Sequence, residues 1–279
     1  MQIIRTVAEL RAWSRASRQA GKSVGLAPTM GALHEGHLSL VRAAKASCGA
    51  VAASIFVNPT QFGPNEDFAK YPRTFEADCK LLEAEGVDVV FAPTPEEMYP
   101  AGAVTFVEVA GLSDRLDGAS RPGHFRGVAT VVAKLFVAAE PDRAFFGQKD
   151  AAQVAVLRRM TADLGLPVEL VVCPIVREPD GLAMSSRNRY LSPEERRQAL
   201  VLSRALHAAQ RAAKAGERKT TALIETAWQV FLTEPSVRID YIAAVDWATL
   251  EPVEEASSEM LFAVAAYVGK TRLIDNFVC

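Results

Sequence analysis

The architecture of this chain can be worked out from residues 24–38, Val24-Gly25-Leu26-Ala27-Pro28-Thr29-Met30-Gly31-Ala32-Leu33-His34-Glu35-Gly36-His37-Leu38. The apolar run at its start predicts a β-strand, and the Pro and Gly that follow predict a turn. Two histidines then stand at the start of a predicted helix. The free N–H groups and the dipole of a helix N-terminus attract phosphate, so the segment predicts a nucleotide-phosphate site.

The two histidines admit three interpretations. Zinc is disfavoured, because the metalloprotease pattern places its histidines four residues apart, whereas His34 and His37 are three apart with Gly36 between them. A purely structural role as helix caps is the second. The favoured interpretation is that both rings donate to a transferring phosphate, because imidazole supplies N–H groups and can be charged near neutral pH.

Outward from this segment, short apolar runs alternate with helical segments up to about Pro174. The strands are expected at Val24–Ala27, Val51–Val57, Val87–Ala92, Arg143–Phe146 and Val168–Cys173, and the helices at Val7–Gln19, Gly36–Ser47, Phe75–Glu85, Gly127–Ala139 and Ala151–Leu164. This alternation predicts an α/β fold, a Rossmann-like doubly wound parallel sheet with ligands beyond the carboxyl ends of its strands. An extra β excursion is expected at Val104–Val109.

The pattern changes near residue 176. A polar loop leads to a helix that Ser192 and Pro193 introduce and Gly216 ends. A second helix at Thr220–Leu232 and strands at Arg238–Val245, Met260–Val268 and Thr271–Phe277 are expected to follow. We therefore predict two domains: residues 1–175, Rossmann-like and nucleotide-binding, and residues 176–279, a smaller α+β domain that closes over the site.

Composition sets the remaining bounds. The 279 residues carry a net charge of −2, so no overall field favours nucleic acid or a membrane surface. The four cysteines show no pairing pattern and are expected to be reduced thiols. Neither a signal peptide nor an apolar run of about 20 residues is visible. A soluble, cytoplasmic protein is the expectation.

Four further segments could contribute to ligand binding or catalysis, and each also has a purely structural interpretation. Residues 181–189 combine two serines with two arginines, as a phosphate clamp or a solvated linker would. Residues 145–150 end in Gly147-Gln148-Lys149-Asp150, which suits phosphate and ribose or merely caps a helix. In residues 56–63, Asn58 and Gln61 suit a small hydroxy acid or simply order a turn. Residues 121–127 could guide anions or order a loop.

Together the motifs resemble the nucleotidyltransferase superfamily, and more closely the pantoate–β-alanine ligase family (the pantothenate synthetases). The resemblance rests on residues 28–37, Phe56-Val57-Asn58-Pro59-Thr60-Gln61-Phe62, Tyr71-Pro72-Arg73-Thr74, Gly147-Gln148-Lys149-Asp150 and Met184-Ser185-Ser186-Arg187-Asn188, in order along nearly the whole chain. It implies ATP-dependent condensation of (R)-pantoate with β-alanine, through a pantoyl adenylate, to pantothenate, AMP and diphosphate. This is a step of pantothenate (vitamin B5) and coenzyme A biosynthesis.

The resemblance also implies roles for individual residues. The catalytic residues would be His34, His37, Lys149 and Arg187, with His37 in the position of a proton donor. Pantoate would contact Gln61 and Gln153, and β-alanine would contact Gln61. Asp78 would be a protein ligand of Mg²⁺. ATP would be bound by Met30, Gly31, Ala32, Leu33, His34, Glu35, Gly36, His37, Gly147, Gln148, Lys149, Asp150, Val176, Met184, Ser185, Ser186 and Arg187.

The expected partners are therefore ATP with Mg²⁺, pantoate and β-alanine, with neither nucleic acid nor membrane, and the family resemblance implies a homodimer. Two alternatives stay open at this level. One is an adenylyltransferase that joins AMP to another acid or phosphate. The other is a nucleotide-binding regulatory module without turnover, against which His37, Lys149 and Arg187 speak.

Overall fold

The larger sheet has six parallel strands in a computed structural model that describes residues 1–64 and 66–279. Its strands are β1 (Gln2–Ile4), β2 (Val24–Thr29), β3 (Ala50–Ile55), β4 (Val89–Phe91), β5 (Arg143–Gly147) and β6 (Glu169–Cys173). They lie in the order β1-β4-β3-β2-β5-β6. The chain thus winds outward in one direction from β2 and in the other from β5, which is the doubly wound arrangement.

Helices cover both faces of this sheet. They are α1 (Val7–Gln19), α2 (Glu35–Ser47), α3 (Phe75–Ala84), the short α4 (Pro95–Met98) and α5 (Asp117–Ser120), α6 (His124–Ala139) and α7 (Ala151–Asp163). Strand β2 shows why its sequence is apolar throughout. Leu26 packs into the core with α1, α6 and α7, and Ala27 packs into the core with α2 on the other face.

A second, antiparallel sheet forms the C-terminal part. It contains β7 (Val237–Asp246), β8 (Met260–Val268) and β9 (Thr271–Val278) in sequence order. Helices α8 (Pro193–Lys214) and α9 (Thr220–Phe231) cover one face. On the opposite face Val245, Leu261 and Ala263 join the core of the larger sheet, so the two sheets share a packed boundary.

The predicted α/β fold class is confirmed, and the difference lies at two segments. Strand β1 was missed because three residues at a chain end carry no readable periodicity. The β excursion predicted at Val104–Val109 was wrong, since the structure has no strand there. Val107 donates its N–H to the Thr130 hydroxyl at 2.9 Å instead of to a ladder. Among the described residues, no helix combines the length and the apolar character that crossing a bilayer requires.

Candidate active site

A cavity of about 230 Å³ opens at the carboxyl ends of β2 and β5. These are the two strands at which the winding direction of the sheet reverses. Open α/β sheets bind ligands at such a point because the loops diverge there. Helix α6 supplies an apolar wall through Val128, Val131 and Leu135, and polar side chains from several other segments line the rest.

The two histidines form a reciprocal cap on α2. His34 is the N-cap residue, and its Nδ1 accepts from the Gly36 N–H at 3.2 Å. His37 Nδ1 lies 3.4 Å from the His34 N–H, and the ring centroids are 4.1 Å apart. Because both Nδ1 atoms act as acceptors, each neutral ring carries its proton on Nε2. The cap therefore fixes both tautomers and leaves two Nε2–H donors.

Gly36 makes this arrangement possible. A Cβ at that position would lie 2.9 Å from His34 Cε1, too close for an ordinary contact. Any larger residue would displace the His34 ring from the cap. The glycine between the two histidines is thus required by the position of the His34 ring in the cap.

Both rings are uncharged in the folded protein at neutral pH. Burial lowers the pKa of His34 to about 4, and the Lys149 ammonium adds to the effect. Burial and then His34 lower the pKa of His37 to about 3. The sequence-based expectation that these imidazoles can be charged near neutral pH does not hold for the protein without substrate. They act instead as neutral hydrogen-bond donors.

This electrostatic state predicts a loss of stability in mild acid. The pKa of His124 is also lowered to about 4, by burial and by Arg121. Between these folded-state pKa values and the ordinary value of 6.5, the unfolded chain binds protons that the folded chain excludes. The free energy of unfolding is therefore highest above pH 6.5 and falls as the pH drops, by up to about 1.4 kcal/mol per pH unit for each histidine.

Urea unfolding at pH 7.5, 6.5, 5.5 and 5.0 measures this slope. The carboxylates titrate mostly below this range, so the histidines dominate it. His37→Gln removes one titrating ring and should therefore reduce the pH dependence of the unfolding free energy by the contribution of one histidine. Equal unfolding free energies at pH 7.5 and 5.0 in the unmodified protein would contradict the assignment of neutral rings.

The loop before the histidines is held by Asp78 from α3. Its carboxylate accepts from the N–H groups of Ala32 and Leu33, each at 2.9 Å, and from the Thr74 hydroxyl at 3.1 Å. Gly31 and Ala32 have positive φ values of 80° and 52°, which non-glycine residues adopt only when their surroundings hold them. The magnesium role of Asp78 stays a prediction. In the structure, this buried carboxylate stabilises the conformation of the loop.

The serine–arginine segment meets the histidine loop directly. The Ser186 hydroxyl donates to the Ala32 carbonyl at 3.2 Å although the residues are 154 positions apart. Ser185 caps the short 3₁₀ turn that begins at Ser186. Arg187 lines the cavity, and its guanidinium pairs with both oxygens of Asp67, at 3.1 and 3.2 Å. The histidine loop and the serine–arginine segment, which the sequence predicts to form one phosphate site, are thus neighbours.

The third cationic segment follows β5. Gly147, Lys149 and Asp150 line the cavity, and Lys149 Nζ lies 3.3 Å from the carboxylate of Asp150. Gln153 lines the same wall near the start of α7. Lysine, arginine and two imidazoles therefore surround one space, which suits a polyanion.

Gln61 is fixed by a network of amides at the end of β3. Asn58 Nδ2 donates to Gln61 Oε1 and to the Gly127 carbonyl, each at 3.1 Å, while Tyr99 donates to Asn58 Oδ1 at 2.8 Å. The carbonyl of Gln61 lies 2.8 Å from His124 Nδ1. Gly127 is needed for the approach of α6, because a Cβ there would lie 2.3 Å from the Thr60 carbonyl oxygen.

The predicted site residues fall into two groups. The cavity is lined by Met30, His34, Gly36, His37, Gln61, Gly147, Lys149, Asp150, Gln153, Val176, Met184, Ser185, Ser186 and Arg187. Gly31, Ala32, Leu33, Glu35, Gln148 and Asp78 do not line it. Glu35 instead pairs with Arg42 on the surface, and Gln148 turns toward Asn276. Arg121 and His124 also line it, and they belong to the segment that the sequence suggested could guide anions or order a loop. Tyr71 and the apolar wall of α6 line it without having been assigned a role from the sequence.

The chain matches the sequence model of the family described as pantoate-beta-alanine ligase over residues 2–278. It is 66% identical over 287 residues to the pantothenate synthetase of Acidobacterium capsulatum, covering 99% of this chain and 96% of that protein. It is 58% identical over 278 residues to the pantothenate synthetase of Koribacter versatilis, covering 100% and 96%.

Solved structures agree. Pantothenate synthetase from Thermus thermophilus superposes with a TM-score of 0.94 at 49% identity, covering 100% of this chain and 99% of the other. Pantoate-beta-alanine ligase from Francisella tularensis, complexed with beta-gamma ATP and beta-alanine, superposes with a TM-score of 0.80 at 32% identity, covering 100% and 97%.

Proposed function

Because this chain belongs to the pantoate–β-alanine ligase family, we propose that its cavity joins pantoate to β-alanine through a pantoyl-adenylate intermediate. The overall reaction condenses the two acids using ATP, and the protein is a ligase. One observation carries the mechanism: Ser186 contacts the loop of His34 and His37, so donors from both halves of the chain face one cavity.

In the first step the pantoate carboxylate attacks the α-phosphorus of ATP. A bond forms from carboxylate oxygen to phosphorus, the bond to the bridging oxygen breaks, and diphosphate leaves with its electron pair. An ionised carboxylate needs no general base, so catalysis consists of alignment and charge stabilisation. The Nε2–H groups of His34 and His37 donate to the phosphates, and Lys149 and the Ser185-Ser186-Arg187 segment take the charge that develops on diphosphate.

Arg187 must change partners for this role. Its guanidinium is held by Asp67, and a phosphate oxygen of ATP replaces that carboxylate when the nucleotide binds. We place the domain boundary near residue 176. Closure of residues 176–279 over the cavity then brings Arg187 toward the nucleotide and shields the acyl adenylate from water. Gly31, Ala32 and Leu33 lie behind the cavity lining and support the nucleotide site through the loop that Asp78 holds.

Pantoate binds between two amides. Gln61 and Gln153 both line the cavity, and their side chains suit the hydroxyl and carboxylate groups of a small hydroxy acid. In the second step the amine of β-alanine attacks the acyl carbon, the amide bond forms, and AMP leaves. Gln61 also neighbours β-alanine in this step.

Magnesium enters with ATP in this proposal. The described residues contain no group of three or more His, Cys, Asp or Glu side chains that could hold a metal ion. That fits a cation held mainly by substrate phosphates, as Mg²⁺ often is. When bound, it would neutralise phosphate charge. Asp78 is the protein ligand that the family resemblance implies, and its oxygens accept from the Ala32 and Leu33 N–H groups. Asp150 is the carboxylate that lines the cavity.

The test is the identity of the nucleotide product. Incubation with ATP, pantoate and β-alanine should yield AMP and diphosphate in equal amounts, with AMP formation dependent on pantoate. Release of ADP and inorganic phosphate would overturn the adenylate route while leaving the ligase assignment intact. Omitting β-alanine should give a single burst of enzyme-bound pantoyl adenylate.

We propose that the ligase is a homodimer, and residues 103–109 support this. The segment has no helix or strand, Val104 is 83% exposed and Phe106 is 46% exposed. A segment outside both sheets that exposes apolar side chains suits contact with a second copy of the chain. Sedimentation equilibrium should give twice the chain mass of 30.1 kDa.

Val104→Lys should shift the dimer toward monomer, because it places a charge in that interface. Val137, which is 56% exposed on α6, provides the matched control through Val137→Lys. A dimer that tolerates the first substitution as well as the second would place the interface elsewhere.

We also propose that the enzyme works in the cytoplasm. Cys48, Cys79, Cys173 and Cys279 are all free. Free thiols are typical of a reducing compartment. The expected substrates, ATP above all, belong to the same compartment.

A further inference from the structure

Strand β9 carries two adjacent buried polar residues that the proposed mechanism does not use. Asp275 is 2% exposed and Asn276 is 3% exposed. Neither lines the cavity. Successive side chains of a strand point to opposite faces, so each can hold a different element. Buried polar groups need partners, and those of this pair reveal what the strand does.

Asn276 holds the turn that presents Lys149. Its Nδ2 donates to the carbonyl of Gln148 at 3.0 Å and to the carbonyl of Lys149 at 2.9 Å. Its Oδ1 accepts from Gln148 Nε2 at 3.2 Å. Both amide hydrogens and the amide oxygen are thus committed to two consecutive residues, 128 and 127 positions away in the chain.

Asp275 holds the approach to the serine–arginine segment. Its two oxygens pair with the Arg177 guanidinium at 2.6 and 3.0 Å. Arg177 also donates to the Gly181 carbonyl at 3.0 Å, across the loop that leads to Ser185. Asp275 Oδ1 also accepts a hydrogen bond from the Asn276 N–H at 2.8 Å. This bond links the contacts of Asp275 with Arg177 to those of Asn276 with the Gln148–Lys149 turn.

From these contacts we infer that Asn276 is a positioning residue for Lys149, and that β9 sets the distance between the two phosphate-binding segments. Resting on the proposed function, this assigns the C-terminal sheet a part in adenylate formation. Asn276 touches no substrate. It acts by keeping the Gln148–Lys149 backbone where the ammonium can reach the phosphates.

Removing the amide should therefore impair one half-reaction. In Asn276→Ala the turn loses three hydrogen bonds, and a displacement of about 1 Å can cost about 10²-fold in rate. Adenylation of pantoate should slow by about 10–10²-fold. Aminolysis of supplied pantoyl adenylate by β-alanine should stay within about 2-fold of the unmodified rate, because Lys149 serves the phosphates only.

The experiment measures both half-reactions separately in Asn276→Ala and in Phe277→Leu. Phe277 is the next residue of β9, and its side chain packs against Phe262 in the core between the antiparallel sheet and helices α8 and α9. Phe277→Leu therefore controls for a loss of stability in β9. Adding Asn276→Ala to a Lys149→Ala enzyme should produce no further loss, because the two residues act as one unit. If Asn276→Ala does not fold, Asn276→Ser, which keeps one donor, replaces it.

Equal losses in both half-reactions, or a full additional loss in the Lys149→Ala background, would overturn the positioning role. So would a normal adenylation rate in Asn276→Ala. A failure of the proposed function is recognised independently, because the unmodified enzyme would then form no pantoyl adenylate.

Discussion

His37→Ala should slow formation of pantoyl adenylate by about 10²–10⁴-fold, the range observed for removing a positioned donor or acid from a transition state. The ring carries its proton on Nε2 because Nδ1 accepts from the His34 N–H. It is neutral because burial lowers its pKa to about 3. The loss is therefore that of a fixed donor, and rapid-quench measurement of AMP formed in a single turnover reports it directly.

Two further variants make this result specific. His37→Gln places an amide N–H near the position of Nε2–H and should recover part of the rate, which a role limited to proton transfer would not allow. His207→Ala, which removes an exposed histidine on α8, should leave adenylation unchanged. A single-turnover rate for His37→Ala within about 3-fold of the unmodified enzyme would exclude the ring from the mechanism.

The parallel sheet was predictable because its signal is local. Each strand from β2 to β6 is short and largely apolar, and Leu26 and Ala27 show why: adjacent residues enter different cores. The cap of α2 was predictable for the same reason, since His34 and His37 lie within one helical turn. The failed prediction at Val104–Val109 shows the limit, because an apolar alternation fits an unpaired segment equally well.

The convergence of distant segments had another source. Nothing in the composition of residues 181–189 says that Ser186 meets Ala32. The family resemblance implied only that the histidine loop and the serine–arginine segment bind the same ATP, and the structure places these two segments side by side. Neither the local sequence pattern nor the family resemblance predicted the contacts made by buried amides and carboxylates. Asn276 stands in an ordinary strand pattern, and its partners Gln148 and Lys149 have no local relation to it.

Charge states were also unreadable from the sequence. The pKa of a histidine depends on how much water the folded cavity removes and on which cation lies beside it. His34 and Lys149 are far apart in the chain, yet the ammonium contributes to lowering the pKa of the ring. In the same way, the pairing of Arg187 with Asp67 depends on the folded loop. The residue types were predictable, but their states required the packing.

Lys149→Ala should slow adenylation by about 10²–10³-fold, the cost of removing one preorganised group that faces developing charge. The side chain lines the cavity and pairs only with the neighbouring Asp150 among the described residues. Lys149→Arg, which keeps the charge in a different shape, should recover part of the rate. Lys45→Ala, which breaks a surface pair with Asp88, is the matched control and should change neither half-reaction.

The same substitution has a second, independent signature, because Lys149 opposes protonation of His34. Removing the ammonium should raise the pKa of His34 toward its ordinary value, while burial keeps it below 6.5. Histidine resonances followed by NMR through a pH titration measure this shift. If adenylation slows and the His34 pKa stays at about 4, Lys149 acts on the phosphates from farther away than the folded cavity indicates. If the pKa rises while the rate is unchanged, the ammonium lies beside the histidines but takes no part in the transfer.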